Sequence, residues 1–219
     1  MHELLGHGSG KLLEGVQTSS LKEHHSTIEE ARADIYALYH IASELTLKNE
    51  LLTTEQAYKT VYDNYLIYGY FTQLNSLSDD CTEIKEAHSR NNMLIARFIL
   101  EKGLERGAIK MTGRSKVKHI TILDYAAVRD IIAELLNILQ DITSTGNYEA
   151  ACELIKKYVV LDQKILHEVK AIYNEYDLPT EGAFINPKFV KTMSGYLCEN
   201  TESFIEQNLR YSKEYSLMK

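Results

Sequence analysis

The chain has 219 residues, 44% of them hydrophobic and 25% charged, a balance that predicts a folded protein with one or two cores rather than a disordered one. Its formal net charge of −7 argues against nucleic acid or an anionic membrane as principal partner, since both are bound through clustered Lys and Arg. No run of about 18 uncharged apolar residues is present, and Cys81, Cys152 and Cys198 are too few and too far apart for a disulfide framework, so reduced thiols and a cytoplasmic location are expected.

The first residues carry the densest chemistry. His2, Glu3 and His7 stand in the run Met-His-Glu-Leu-Leu-Gly-His-Gly-Ser-Gly-Lys. Two imidazoles and a carboxylate on one short helix are a usual way to hold a catalytic zinc, with the carboxylate as general base. In the common arrangement the histidines are four residues apart, about 40° on a wheel of about 100° per residue; five residues give about 140°, too far for one metal on a regular helix. A π-type bulge returns His7 to the side of His2, and Gly6 is the residue least resistant to that distortion. The run is not a phosphate loop, because Leu5 stands where the first Gly is needed and Leu12 follows Lys11. Nor does the chain hold the His-x-Glu and Cys-x-x-Cys of a zinc deaminase. Taken alone, His and Glu near a terminus are most often solvated surface residues.

Gly8 and Gly10 terminate this element, and the stretch from Leu13 to His25, without sustained period, reads as a loop. Ser26 with Glu29 forms a capping-box pattern, and Ile28, Ala31, Ile35, Leu38, Ala42 and Leu45 recur at helical steps, which predicts a helix from Thr27 to Lys48. It opens with a second acidic cluster, Glu29, Glu30 and Asp34. Glu30 and Asp34 share a face off the apolar stripe, and carboxylates packed there need a cation or hydrogen bonds. For Glu29 alone, a solvated first turn favoured by the helix dipole is the competing reading.

His2-Glu3-Leu4-Leu5-Gly6-His7 followed by Glu29-Glu30-Ala31-Arg32-Ala33-Asp34 resembles the dipeptidyl peptidase III family of zinc metallopeptidases, family M49, of which the six-residue motif is the signature. The resemblance implies one zinc ion per chain held by His2, His7 and Glu30, with Glu3 as base and Glu29 and Asp34 as carboxylates supporting the ligands; Asp34 stands where the family often has Glu. It implies release of dipeptides from the free N-termini of oligopeptide substrates. It also implies an N-terminal lobe of the same protein ahead of the motif, so this chain is expected to be a catalytic-domain fragment, nearly inactive by itself.

Thr53 with Gln56 begins another helical pattern, Thr54 to about Asn75, bearing Tyr58, Tyr62, Tyr65, Tyr68 and Tyr70, a spacing expected of half-buried packing with hydroxyls reaching water. A third helix is expected from Asp80 to Gly103. His88 within it is, by itself, an ordinary structural or surface histidine. The resemblance gives it another role, because Glu86-Ala87-His88 followed by Arg97-Phe98-Ile99-Leu100 matches the family segment whose histidine stabilises the transition state. Asn92 stands where some members have Arg.

Residues 108–122 read as one β-hairpin around a Thr-Gly-Arg-Ser turn, with His119 outward and the basic stretch from Arg114 solvated. Asp124 caps a helix to Thr143; further helices run from Asn147 to Val159 and from Gln163 to Tyr176, and Pro179 to Pro187 marks a boundary. Thr201 to Tyr215 is expected as a peripheral helix. The fold class is therefore mainly α, a multi-helix zinc-peptidase catalytic domain over 1–178 with one small hairpin, then a linker and peripheral segment over 179–219. Two other functions remain compatible with these residues: a helical interaction module with a structural or idle zinc, and a zinc endopeptidase with a different cleavage rule.

Overall fold

The computed structural model describes all residues except 44, 45, 47, 49–53, 114–118, 179–186, 200 and 217–219. The expected last turns of the first long helix, the cap at Thr53, the tip of the hairpin from Arg114 and the boundary from Pro179 to Pro187 lie wholly or partly outside the described residues. The chain divides into two compact units, Met1–Leu178 and Pro179–Lys219.

Helix α1 (His25–Ile41) is the centre of the first unit, because its stripe of Ile28, Ala31, Ile35 and Leu38 is fully buried. The Ser26–Glu29 capping box does not form: the N-cap is His24 without a side-chain cap bond, and the Glu29 carboxylate is drawn to His7 and Arg32 instead. Upstream, the expected loop contains a 3-10 helix, Thr18–His24, kinked at Lys22 where φ is 48°. A single short kinked turn leaves no period in the sequence.

Helix α2 (Glu55–Tyr70) stops earlier than its pattern suggests, since Phe71 leaves the helical region and a 3-10 helix, Thr72–Ser76, follows. Gly69 lets α2 lie directly on α3 (Ala87–Glu105): a Cβ there would come within 2.6 Å of the Asn92 carbonyl oxygen. Helix α3 starts seven residues after the expected Asp80, because the Glu86 carboxylate accepts from the His88 and Ser89 N–H groups at 2.9 and 2.7 Å and fixes the N-terminus there.

Strands β1 (Ile109–Thr112) and β2 (His119–Ile122) pair antiparallel, Ile109 opposite Ile122, with His119 exposed. Helices α4 (Tyr125–Thr145), α5 (Tyr148–Tyr158) and α6 (Gln163–Glu175) follow, capped by Asp124, Asn147 and Asp162 through side-chain acceptors. The main core joins α1, α2, α3, α4 and α5, with Leu94, Ile95, Ile131, Ile132 and Leu135 fully buried. Each contributes roughly 1.5–3 kcal/mol by leaving water. A second cluster seats Ile165, Leu166 and Val169 of α6 on Leu74, Ile84 and Met93.

The second unit holds an unexpected hairpin, β3 (Lys188–Thr192) with β4 (Gly195–Glu199), and helix α7 (Phe204–Tyr215), opened by a Ser203–Glu206 capping box. Most residues of β3 and β4 are exposed on both faces, so no alternation of apolar and polar residues announces them. No described helix is long and apolar enough to cross a membrane.

Candidate metal centre

Residues His2–Gly6 form a π-helical turn, with the His7 N–H donating to the His2 carbonyl at 3.0 Å and the Gly6 N–H to that of Met1 at 2.9 Å. Bonds of this i→i+5 type wind the chain more loosely than an α-helix and return His7 to the side of His2. The turn rests on α1 through Gly6. A Cβ on Gly6 would lie 2.8 Å from both Cα and carbonyl oxygen of Ala33, so only glycine permits this approach, one helical turn from Glu29 and Glu30.

Three acceptor atoms converge there. His2 Nε2 and His7 Nε2 are 3.1 Å apart, and Glu30 Oε2 lies 3.4 Å from the first and 3.7 Å from the second. The outer nitrogens are engaged, His2 Nδ1 with Asp34 Oδ1 at 2.7 Å and His7 Nδ1 with Glu29 Oε1 at 3.0 Å. An ionised carboxylate only accepts, so each Nδ1 is the donor in these bonds, and the tautomer that carries its single proton there presents an Nε2 lone pair inward. Glu30 Oε2 is itself buried without a hydrogen-bond donor among the described residues. Lone pairs facing one another at this distance call for a cation. Ligands of a tetrahedral zinc, with bonds of about 2.0–2.1 Å, stand roughly 3.3 Å from one another. The donor set and its spacing fit that ion.

The supporting carboxylates have donors of their own. Arg32, 2% exposed, donates from Nη2 and Nε to Glu29 at 2.8 and 3.3 Å and from Nη1 to the Ser9 carbonyl at 2.8 Å, tying the segment after the turn to α1. Burial pushes the Glu29 carboxyl up, but the hydrogen bonds from His7 and Arg32 and the guanidinium charge outweigh it and leave Glu29 below the ordinary carboxylate value. Asp34 Oδ2 accepts from Tyr65 Oη at 2.8 Å and Asn91 Nδ2 at 3.3 Å.

Sequence reading missed three of these contributors. Arg32 had a signal, three residues from Glu29 on the same helix face. Tyr65 and Asn91 had none, lying 31 and 57 residues from Asp34. The expectation that the tyrosine hydroxyls reach water fails at Tyr62, which donates to the Leu38 carbonyl, and at Tyr65; Tyr68 is exposed.

Glu3 and Glu30 both come near the imidazoles, and His2, Glu3 and His7 offer ligand atoms within 4.8 Å of one another. Glu30 is the better placed of the two. Its Oε2 reaches both Nε2 atoms and its side chain is 19% exposed, whereas Glu3 Oε1 is 3.9 Å from His2 alone and its side chain is 84% exposed. Glu3 lies exposed beside the cluster. His88, in the first turn of α3, brings Nδ1 to 3.4 Å from Glu30 Oε2 with its side chain 65% exposed, on the open side. An apolar cavity of about 470 Å³ borders His2 and Asp34, walled by Ala37, Leu38 and Ile41. That low-dielectric wall strengthens the Asp34 hydrogen bonds.

The sequence profile of peptidase family M49 matches residues 14–194, a span that includes Glu29, Glu30, Asp34 and His88 and begins after the His2–His7 turn. No curated protein matches the chain. Among solved structures, DPP III from Caldithrix abyssi is 25% identical with a TM-score of 0.58, and 80% of this chain covers 31% of that one. Dipeptidyl-peptidase III from Corallococcus sp. strain EGB is 23% identical with a TM-score of 0.59, covering 79% of this chain and 30% of that one, and shares the fold. The chain therefore spans about a third of the length of these similar proteins.

Proposed function

Since the chain belongs to peptidase family M49, we propose that it forms the zinc-holding part of a peptidase that releases dipeptides from the N-termini of oligopeptides. The likeness to DPP III from Caldithrix abyssi supports this substrate class. The observation that carries the metal reading is the cluster of His2 Nε2, His7 Nε2 and Glu30 Oε2, three potential ligand atoms facing one another within 3.7 Å.

In this reading His2, His7 and Glu30 hold one zinc, with a position left for water or substrate. Bound zinc supplies Lewis acidity toward a carbonyl and toward water. Glu3, exposed beside the cluster, takes the proton of the attacking water and returns it to the leaving amine. His88 reaches in from the α3 N-terminus and donates to the oxygen on which negative charge develops. Glu29 and Asp34 hold the two imidazoles in the tautomer that leaves Nε2 free.

Metal analysis of wild type and Glu30→Ala, combined with assays on peptides with free and blocked N-termini, tests this. We expect zinc in the wild type, its loss in Glu30→Ala, and, when the chain is assayed as part of a protein of the length of the similar structures, dipeptide release from free N-termini only. Equal zinc in both proteins overturns the ligand assignment. Cleavage of blocked peptides replaces dipeptide release with endopeptidase action, and zinc retention with no hydrolysis in that longer protein makes the metal structural.

A further inference from the structure

Building on the metal centre of the proposed function, we propose that Tyr65 and Asn91 are positioning residues that set zinc affinity through Asp34. Asp34 is a short side chain, and its two oxygens are divided between two tasks. Oδ1 holds His2 Nδ1 at 2.7 Å, while Oδ2 is gripped by Tyr65 Oη at 2.8 Å and Asn91 Nδ2 at 3.3 Å. The two donors come from α2 and α3, which Gly69 allows to pack in contact beside α1. The Asp34 carboxylate is thus fixed from two helices before it meets the ligand ring.

Asn91 is 0% exposed, and its Oδ1 has no hydrogen-bond partner among the described residues. Flipping the amide would set its oxygen against Asp34, so the orphaned acceptor is the consequence of directing Nδ2 at the carboxylate. An apolar side chain would fill the same space without that cost, so packing alone does not account for asparagine here. The burial of Tyr65 and the nearby Asp34 charge push its hydroxyl well above the usual tyrosine range, which keeps it a donor. The two ligand histidines are also supported differently. Arg32 brings a full positive charge to Glu29, whereas neutral Tyr65 and Asn91 leave the Asp34 charge available to His2, raising the donor strength of its Nε2.

The test is zinc affinity by competition with a chromophoric chelator, for wild type, Tyr65→Phe and Asn91→Leu, each with Asp34 intact and with Asp34→Asn, folding being checked by circular dichroism. With Asp34 intact, each variant should bind zinc roughly 10-fold more weakly. In the Asp34→Asn background the same changes should matter by less than about twofold, because the residue they act through is gone. Unchanged affinity in both variants overturns the inference, as does a loss of equal size in the two backgrounds, which would mark a general packing effect. Absence of tight zinc binding by the wild type overturns the metal reading itself and this inference with it. Tyr65→Phe removes one oxygen and Asn91→Leu fills its own space, so each arm reads independently of the other.

Discussion

His2 Nε2 and His7 Nε2 face one another at 3.1 Å although five residues separate them. Their rings meet edge to face, centroids 4.7 Å apart. A regular helix would splay them by roughly 140°. The π turn removes that splay, and it is held against α1 by the absence of a side chain at Gly6.

Gly6→Ala should therefore act on the metal centre from outside it. The new methyl would sit 2.8 Å from the Ala33 Cα and carbonyl oxygen, and overpacking of this kind costs about 1–3 kcal/mol. A lowered thermal midpoint and weaker zinc binding are expected together. Adding Ala33→Gly should not restore either, since the clash is with backbone as well as with Cβ. Full restoration by the double variant would show that the contact is methyl against methyl only.

Glu3→Gln and His88→Ala, made in whatever longer form of the protein is active, should leave zinc content unchanged and lower kcat. Losses of roughly 10²–10⁴ are expected for a general base and about 10²–10³ for an oxyanion donor. Metal analysis beside steady-state kinetics separates the roles. Zinc loss in Glu3→Gln would make Glu3 a ligand, and an unchanged kcat in His88→Ala would return His88 to an ordinary surface residue.

Helical stripes such as Ile28, Ala31, Ile35 and Leu38, and the cap at Asp124, were legible in the sequence because both are local patterns with a fixed period or offset. The bulge at Gly6 was legible too, from a spacing that only a bulge reconciles with two ligands. Chemistry pulled other local patterns away. Glu29 reads as a capping-box residue after Ser26, yet its carboxylate is committed to His7 and Arg32. The start of α3 is set by Glu86, whose carboxylate caps the His88 and Ser89 N–H groups, an offset that the apolar pattern from Ile84 onward does not mark. Tyr65 and Asn91 reach Asp34 only through the packing of α2 and α3, a relation that no window of sequence contains.

Glu86→Ala should loosen the first turn of α3 and the placement of His88. Burial pushes the Glu86 carboxyl up, but the hydrogen bonds from the His88 and Ser89 N–H groups outweigh it, so its folded pKa lies below the ordinary 4.5. A depressed acid stabilises the fold above its unfolded pKa and loses that contribution as pH falls through the folded value. The cap is exposed, so about 0.5–1 kcal/mol is expected. Thermal midpoints of wild type and variant should differ at neutral pH and converge as pH falls from 4.5 through the lower folded value. A difference independent of pH would show that Glu86 acts by helix propensity rather than by charge.

Arg32→Met is expected to be the most disruptive of these single changes. The guanidinium makes bonds to the Glu29 carboxylate, to the Ser9 carbonyl and hydroxyl, and to the His7 carbonyl. Methionine fills the stem but supplies no donor. Glu29 would then keep His7 as its partner in a half-buried position, and the His7 and Ser9 carbonyls would lose their donor on α1. Removing one member of a buried pair costs about 3–5 kcal/mol; the partial exposure of Glu29 places the expectation nearer ~3 kcal/mol. Arg32→Lys should recover only part, because an ammonium cannot reproduce the planar fork. Adding Glu29→Gln to Arg32→Met removes the stranded charge, so urea denaturation should show the double variant more stable than Arg32→Met alone. If the double variant is no more stable, Arg32 serves to anchor the backbone of residues 7–9, and its pairing with Glu29 contributes nothing measurable to the fold.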